Sequence, residues 1–162
     1  GGWFSTGTSG KNRGVVSLKP GQDNEFRVKA TDKVGNQAFS RVIDAELKLR
    51  DSKSGAIGKS GAWKNRKNDG AYGGSLLVAT RGTPTLRTTF RGKAVAILAP
   101  VGGGRGTFRV RVDGAWSTVN TRASSAAQRN VVWTRRLDDG IHKIVIQRVT
   151  GRPAIDGIIF VR

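Results

Sequence analysis

The 162-residue sequence contains no cysteine and no methionine, and it has a single histidine, His142. Without cysteine the chain has no disulfide, no thiol nucleophile and no thiolate metal site. Its longest apolar run, residues 94–101, has eight residues, whereas a membrane-spanning helix needs roughly 18. No membrane span is therefore expected. The chain also begins Gly-Gly-Trp, without a signal-peptide pattern, and we expect it to be a segment of a larger secreted protein.

Acidic residues are scarce, because 11 Asp and Glu stand against 29 Lys and Arg, for a net charge of +18. The excess is uneven: residues 1–55 carry a net +4, and residues 56–162 carry +14. A field of this size attracts polyanions such as nucleic acid or acidic polysaccharide. The alternative is that the basic residues lie on solvated strand faces, as the alternation of Arg109 and Arg111 with apolar neighbours indicates.

Hydrophobic residues alternate with a period of two in short segments separated by glycine turns, and no window shows a helical stripe. Strands spaced every 8–12 residues are typical of a β-sandwich or barrel. The Asp113-Gly114 pair predicts a hairpin, and residues 138–140 predict a second one. The pair Arg91-Gly92 is expected to separate two strands, and residues 101–106 to form a surface loop. The sequence therefore predicts an all-β fold.

Two stretches near the N-terminus resemble the final strands of bacterial immunoglobulin-like or fibronectin type III-like repeats. They are LKPG at residues 18–21 and EFRVKATDKVGN at residues 25–36. A complete domain of this kind needs about 100 residues, so the resemblance implies a partial immunoglobulin-like β-sandwich over residues 1–50. Its missing strands would come from elsewhere, and a second protein chain that completes the sandwich is one expected partner.

Four ordered motifs in the remaining chain resemble a C-terminal jelly-roll module of secreted actinobacterial proteins, in the galactose-binding-like superfamily. They are TFRG with the apolar stretch after it (89–98), GTFRVRVDG (106–114), LDDGIHKI (137–144) and IDG (155–157). The resemblance implies a jelly-roll β-sandwich over residues 63–162, after a linker at residues 51–62. It also implies an extracellular, accessory role beside repeats or a catalytic domain, and carbohydrate binding is commonly assumed for such modules.

Residues for catalysis are few. A single histidine without cysteine excludes most nucleophile–base pairs, and His142, just after a turn, is expected to make structural hydrogen bonds. Residues 56–162 hold five acids, three of them in predicted turns, whereas glycoside hydrolysis needs two carboxylates across one bond. We expect no enzyme activity and no cofactor. A structural calcium ion, with Asp69 or Asp156 contributing, is kept as an alternative.

Sugar recognition usually requires exposed aromatic rings beside polar side chains. Trp63 and Trp133 are expected in the core, whereas Trp116, close after the Asp113-Gly114 turn, and Tyr72, in a glycine-rich loop, are the predicted ligand contacts. The alternative is that both rings cap the ends of the sandwich. The sequence thus favours a non-catalytic module that binds polysaccharide or cell-wall glycan. Two alternatives stay open: a structural or adhesion domain, and salt-sensitive polyanion binding through the arginine-rich strands.

Overall fold

The computed structural model describes residues 23–162, so the motif at residues 18–21 lies outside the described part. The elements found there are strands and one short 3-10 turn, Tyr72–Gly74. In chain order the strands are β1 (Asp23–Phe26), β2 (Lys29–Thr31), β3 (Gln37–Phe39), β4 (Ile43–Asp51), β5 (Gly58–Lys67), β6 (Ser75–Val101), β7 (Thr107–Val112), β8 (Trp116–Asn120), β9 (Ala127–Thr150), β10 (Ala154–Ile155) and β11 (Gly157–Val161).

The long strands β6 and β9 form the frame of the fold. They pair antiparallel from Thr85 opposite Gln147 to Val101 opposite Ala127, and the register shifts after Gly92. On one side of this shift, residues 94–101 and 127–136 join β11, β4 and β1, and we call these strands the first layer. On the other side, residues 85–92 and 140–150 join β7, β8 and the start of β5, and we call these the second layer.

The hydrophobic core lies between the two layers. The second layer contributes Phe108 and Ile146, and the first layer contributes Ile97 and Ile158, each at most 1% exposed. The rings of Phe90 and Phe160 stack across the core with centroids 4.3 Å apart. Burial of this apolar surface is the main favourable term in the stability of such a sandwich. The predicted all-β jelly-roll sandwich is confirmed.

Trp63 and Trp133 are partly buried and pack against this core, as predicted. The indole of Trp63 carries the buried Nε1, for which no hydrogen-bond partner is found among the described residues. Trp133 lies on β9 opposite Ile97 of β6. Both residues therefore serve the packing of the sandwich rather than its surface.

The turn predictions had mixed outcomes. The Asp113-Gly114 hairpin is confirmed, since the pair lies in the connection between β7 and β8, where Asp113 has a positive φ of 54°. The hairpin predicted at residues 138–140 is wrong, because β9 runs through this segment and stays paired with β6 on both sides. The strand break predicted at Arg91-Gly92 is wrong for the same reason.

Strands β1, β4 and β5 belong to the hydrogen-bonded sheet of the sandwich. β4, which ends at the first residue of the predicted linker, pairs with β11 from Leu47 opposite Val161 to Asp51 opposite Gly157. β5 begins at Gly58, inside the predicted linker, and pairs with β6. β2 and β3 form a separate two-stranded hairpin whose residues are all exposed. The immunoglobulin-like assignment and the division at residues 50 and 63 stay predictions.

Candidate functional site

The outer face of the second layer follows from simple strand alternation. In β7, Phe108, Val110 and Val112 are buried in the core, so Thr107, Arg109 and Arg111 project to the opposite side. In β9, Ile144 and Ile146 are buried, which places Lys143, Val145 and Gln147 on the same outer side. We call this surface the outer face.

Cross-strand pairing aligns the outer-face side chains in two neighbouring rows. Because directly paired residues share a face of the sheet, the registers define both rows. The first row is Arg87, Val145, Arg111 and Trp116. The second row is Thr85, Gln147, Arg109 and Thr118. At a strand spacing of about 4.8 Å, each row is roughly 14 Å long.

Trp116, one of the two predicted contacts, stands at the end of the first row with 37% of its surface exposed. The guanidinium carbons of Arg109 and Arg111 lie 4.4 Å and 4.9 Å from its ring centroid. These distances are within the range of a cation–π interaction. Arg109 is also held by Gln147, whose Oε1 accepts hydrogen bonds from Nε at 2.9 Å and from Nη2 at 2.5 Å.

Tyr72, the other predicted contact, belongs to a different part of the fold. It lies in the 3-10 turn between β5 and β6 and is 38% exposed. Its backbone N–H donates to both carboxylate oxygens of Asp156, at 2.9 Å and 3.2 Å. Asp156 is fully buried beside β11, and this burial raises its pKa. The structure therefore does not combine Tyr72 and Trp116 into one site.

A groove of about 500 Å³ opens beside the first row. Its lining includes Arg50 from β4, Arg87 and Thr89 from β6, and Lys143 and Val145 from β9. The Nη1 of Arg50 donates to the backbone carbonyl of Thr89 at 2.7 Å, and burial lowers the pKa of this guanidinium. The groove could not be predicted from the sequence, because its residues come together only through strand pairing.

The outer face is strongly cationic. Among residues 23–162, no carboxylate lies within salt-bridge distance of Arg87, Arg109, Arg111 or Lys143. Arg87 donates to the hydroxyl of Ser60 at 3.3 Å. Arg109 and Arg111 thus lie on the face of β7 that points away from the core, as their alternation with apolar residues indicated. The alternation was the signal for this face, since it shows which strand residues point away from the core.

The two candidate calcium ligands, Asp69 and Asp156, have different surroundings. Asp69 is exposed and lies 3.8 Å from the Nζ of Lys67, whereas Asp156 is buried and accepts the Tyr72 N–H. Calcium requires six to eight oxygen ligands. Within residues 23–162 no group of three or more His, Cys, Asp or Glu side chains is placed to hold a metal ion.

Both ring nitrogens of His142 are engaged. Nδ1 lies 2.5 Å from Oδ2 of Asp113, and Nε2 lies 2.9 Å from the backbone carbonyl oxygen of Asp138. The ring also contacts Phe90, with centroids 5.4 Å apart. These contacts attach β9 to the β7–β8 turn, which is the structural arrangement expected for this residue.

No helix within residues 23–162 has the length and apolar character needed to cross a membrane. No family model matches the chain, and no curated protein matches it in sequence. Solved structures match its fold. A two-domain esterase active on acetylated mannans aligns over 72% of this chain and 36% of its own, with a TM-score of 0.60 and 9% identity.

Two further solved structures show the same likeness. A family two carbohydrate esterase from Cellvibrio japonicus aligns over 72% of this chain and 34% of its own, with a TM-score of 0.54 and 12% identity. An exo-β-1,3-galactanase from Phanerochaete chrysosporium aligns over 80% of this chain and 31% of its own, with a TM-score of 0.53 and 17% identity. The chain thus spans about a third of the length of these proteins and shares their fold in that part.

Proposed function

We propose that the chain is a non-catalytic accessory module of a larger secreted bacterial protein, and that it binds polysaccharide or cell-wall glycan. The observation that carries this proposal is the exposed ring of Trp116 at one end of the first row, whose other end, Arg87, lines an open groove. Aromatic rings next to hydrogen-bonding groups are the usual components of a sugar site.

The shape of the outer face supports a polymeric ligand. Its rows cross four strands and extend roughly 14 Å at ordinary strand spacing, and the groove continues from Arg87 toward Arg50. A surface of this length suits several consecutive sugar units of a chain. The matched structures are named as enzymes that act on acetylated mannans or galactans, and a match to about a third of their length is consistent with an attached module.

The side chains also support a role without catalysis. The imidazole of His142 is engaged on both sides, and Asp113, whose carboxylate accepts the Lys143 N–H at 2.9 Å, is part of the same contact. The outer face itself carries no acidic side chain among its aligned rows. Hydrolysis of a glycosidic bond by the usual mechanism needs two carboxylates.

The test is binding to a panel of insoluble and soluble polysaccharides, with the same samples assayed for released sugar. We expect binding without hydrolysis, and a loss of about tenfold in affinity for Trp116→Ala, since removing the apolar surface that this ring would bury against a sugar costs on the order of 1–2 kcal/mol. Trp116→Phe should retain most of the affinity. Val131→Ala, which removes an exposed apolar side chain of the first layer, is the matched control.

Two results would contradict the proposal: no binding to any polysaccharide, or equal binding by the wild type and Trp116→Ala. Tyr72→Ala is measured separately because Tyr72 lies away from the outer face. A loss confined to Tyr72→Ala would move the site to the turn between β5 and β6. Release of sugar by the wild-type chain would overturn the proposal that the module is non-catalytic.

A second candidate function is pairing with another protein chain, and the β2–β3 hairpin favours it. The hairpin has three cross-strand pairs, and its residues are exposed, with Val34 at 83% and Phe39 at 50%. An isolated two-stranded hairpin is marginally stable in water, so additional strands would stabilise it. Mass measurement in solution tests this candidate, because a strictly monomeric chain contradicts strand donation between copies.

A further inference from the structure

We infer that the outer face binds an anionic polysaccharide, one that carries carboxylate or sulfate groups, with Arg87 and Arg111 as its anion contacts. This inference rests on the proposed function and narrows the class of ligand. The sequence alone shows an excess of positive charge. The structure shows that two of the basic residues, Arg87 and Arg111, lie in one row of the outer face.

The chemistry of the outer face selects ligands that accept hydrogen bonds. A guanidinium and an ammonium group donate and do not accept. Arg87, Arg109, Arg111 and Lys143 therefore present donors, while the main amide acceptor, Oε1 of Gln147, is occupied by Arg109. Sugar hydroxyls both donate and accept, but carboxylates and sulfates only accept. The two aligned rows are rich in donors and hold no carboxylate, so they fit the charged groups better than neutral sugars.

The arginines beside Trp116 are held in position before any ligand arrives. Arg109 is fixed by two hydrogen bonds to Gln147, and its guanidinium lies over the Trp116 ring. Arg111 lies over the same ring, and it projects from the exposed row. Ordering a long side chain on binding costs about 0.5–1.5 kcal/mol, so this pre-arrangement reduces the cost. Arg109 helps to hold the Trp116 ring in position, and Arg111 is the residue that would contact the anionic group of the ligand.

The positive charge continues along one path. From Trp116 and Arg111 the first row passes Val145 to Arg87, and the groove beside Arg87 adds Lys143 and Arg50. Arg87 and Arg111 are two strands apart, which is about 10 Å. The charged groups therefore recur along a line, as the acidic groups of a linear polysaccharide do. A single small anion would occupy only one point of this path.

The same face is less suited to nucleic acid. Proteins that bind single strands without sequence preference stack successive bases on several aromatic rings. The aligned rows of the outer face hold one aromatic ring, that of Trp116, rather than a series of rings. Phosphate attraction alone would remain, which is a weaker basis for a specific site.

The experiment compares polymers that differ only in charge. Polygalacturonate is measured against its methyl ester, and dextran sulfate against dextran, at several salt concentrations. We expect the charged member of at least one pair to bind at least tenfold more tightly, with affinity that falls as salt rises. Arg87→Gln and Arg111→Gln should each lose about five- to tenfold, since hydrogen bonds to charged groups are the stronger ones.

The control variant is Arg136→Gln, which removes the same charge from the outer side of the first layer. It should change affinity by less than about twofold, because exposed charges at a distance are screened. Thermal unfolding of each variant shows whether the fold is intact. Equal losses of affinity in Arg136→Gln, Arg87→Gln and Arg111→Gln would mean that the overall positive charge of the protein attracts the polymer. That result would overturn Arg87 and Arg111 as specific anion contacts.

The remaining outcomes separate this inference from the proposed function. Equal binding of the neutral and charged polymers would overturn the anionic ligand and leave carbohydrate binding standing. Tighter binding to single-stranded poly(dT) than to every polysaccharide would overturn both in favour of nucleic acid. No binding to any polymer in the panel would remove the proposed function itself.

Discussion

Nδ1 of His142 lies 2.5 Å from Oδ2 of Asp113, and this contact joins β9 to the turn between β7 and β8. The other ring nitrogen faces the carbonyl oxygen of Asp138 at 2.9 Å. Both neighbours are acceptors, so the ring satisfies both only when each nitrogen carries a proton. The hydrogen bond with Asp113 therefore raises the pKa of His142 above its ordinary value of 6.5.

The first prediction concerns the pH dependence of this contact. The folded protein holds the His142 proton more tightly than the unfolded chain does. The stabilisation from the His142–Asp113 contact is therefore complete below about pH 6.5 and is lost as pH rises through the folded-state pKa of His142. The pKa of Asp113 is lowered, chiefly by the hydrogen bond from the Lys143 N–H. The stability that the Asp113 carboxylate contributes is therefore lost as pH falls through its folded-state pKa. A double-mutant cycle of His142→Gln and Asp113→Asn should give about 0.5 kcal/mol of coupling near pH 5.5.

The same cycle should give a smaller coupling at about pH 9, because the imidazole loses its proton as pH rises through its folded-state pKa. Urea unfolding of the four proteins at the two pH values measures it. Asp139→Asn is the control, since Asp139 is exposed and lies 3.8 Å from Arg91. A coupling that stays constant between the two pH values would show that the ionised pair is not the source.

The second prediction concerns the core. Phe108 is fully buried in β7, and Phe108→Ala should reduce the free energy of unfolding by about 3–5 kcal/mol, through lost burial and the cavity left behind. Phe39→Ala is the matched control, because Phe39 is half exposed on β3, and it should change stability by less than about 0.5 kcal/mol. Equal effects in denaturant unfolding would contradict this account of the core.

The third prediction concerns the bend that carries β6 from one layer to the other. A Cβ on Gly92 would collide with the backbone carbonyl oxygen of Val161 on β11. Gly92→Ala should therefore lower stability by about 1–3 kcal/mol, as overpacking does. Gly104→Ala, in an open loop with nothing near its Cβ position, should be close to neutral. Thermal unfolding of both variants distinguishes them, and a neutral Gly92→Ala would refute the close packing of β11 on this bend.

The strands and the core were predictable because alternation is a local property. In β7 the basic residues Arg109 and Arg111 alternate with the apolar residues Val110 and Val112. This alternation alone identifies the exposed and the buried side of the strand. The β7–β8 hairpin was also predictable, because Asp113-Gly114 favours positive φ values in the turn itself.

Long-range pairing could not be predicted from such signals. Residues 138–140 have the composition of a hairpin turn, yet β6 pairs with β9 before and after them and keeps the chain extended. The candidate site has the same origin. Arg87 and Arg111 are aligned by the registers of β6, β9 and β7, and Arg50 reaches the groove because β4 pairs with β11. None of these registers is set by residues close in sequence.

The last prediction concerns Asp156, a fully buried carboxyl group. Its raised pKa, caused mainly by burial, means that its surroundings penalise the charged form at neutral pH. An amide keeps an oxygen acceptor for the Tyr72 N–H without a charge. Asp156→Asn should therefore be at least as stable as the wild type near pH 7, whereas Asp156→Ala leaves that N–H without its acceptor and should lose about 1–3 kcal/mol.

The advantage of Asp156→Asn should shrink as pH falls, because the wild-type carboxyl group becomes protonated below its folded-state pKa and the penalty disappears. Urea unfolding at about pH 7 and about pH 4 measures both effects, with Asp69→Asn as an exposed control. If the amide variant were as unstable as Asp156→Ala at neutral pH, the charge of Asp156 would be a required part of the fold. The turn holding Tyr72 would then depend on an ionic interaction rather than on a hydrogen-bond acceptor alone.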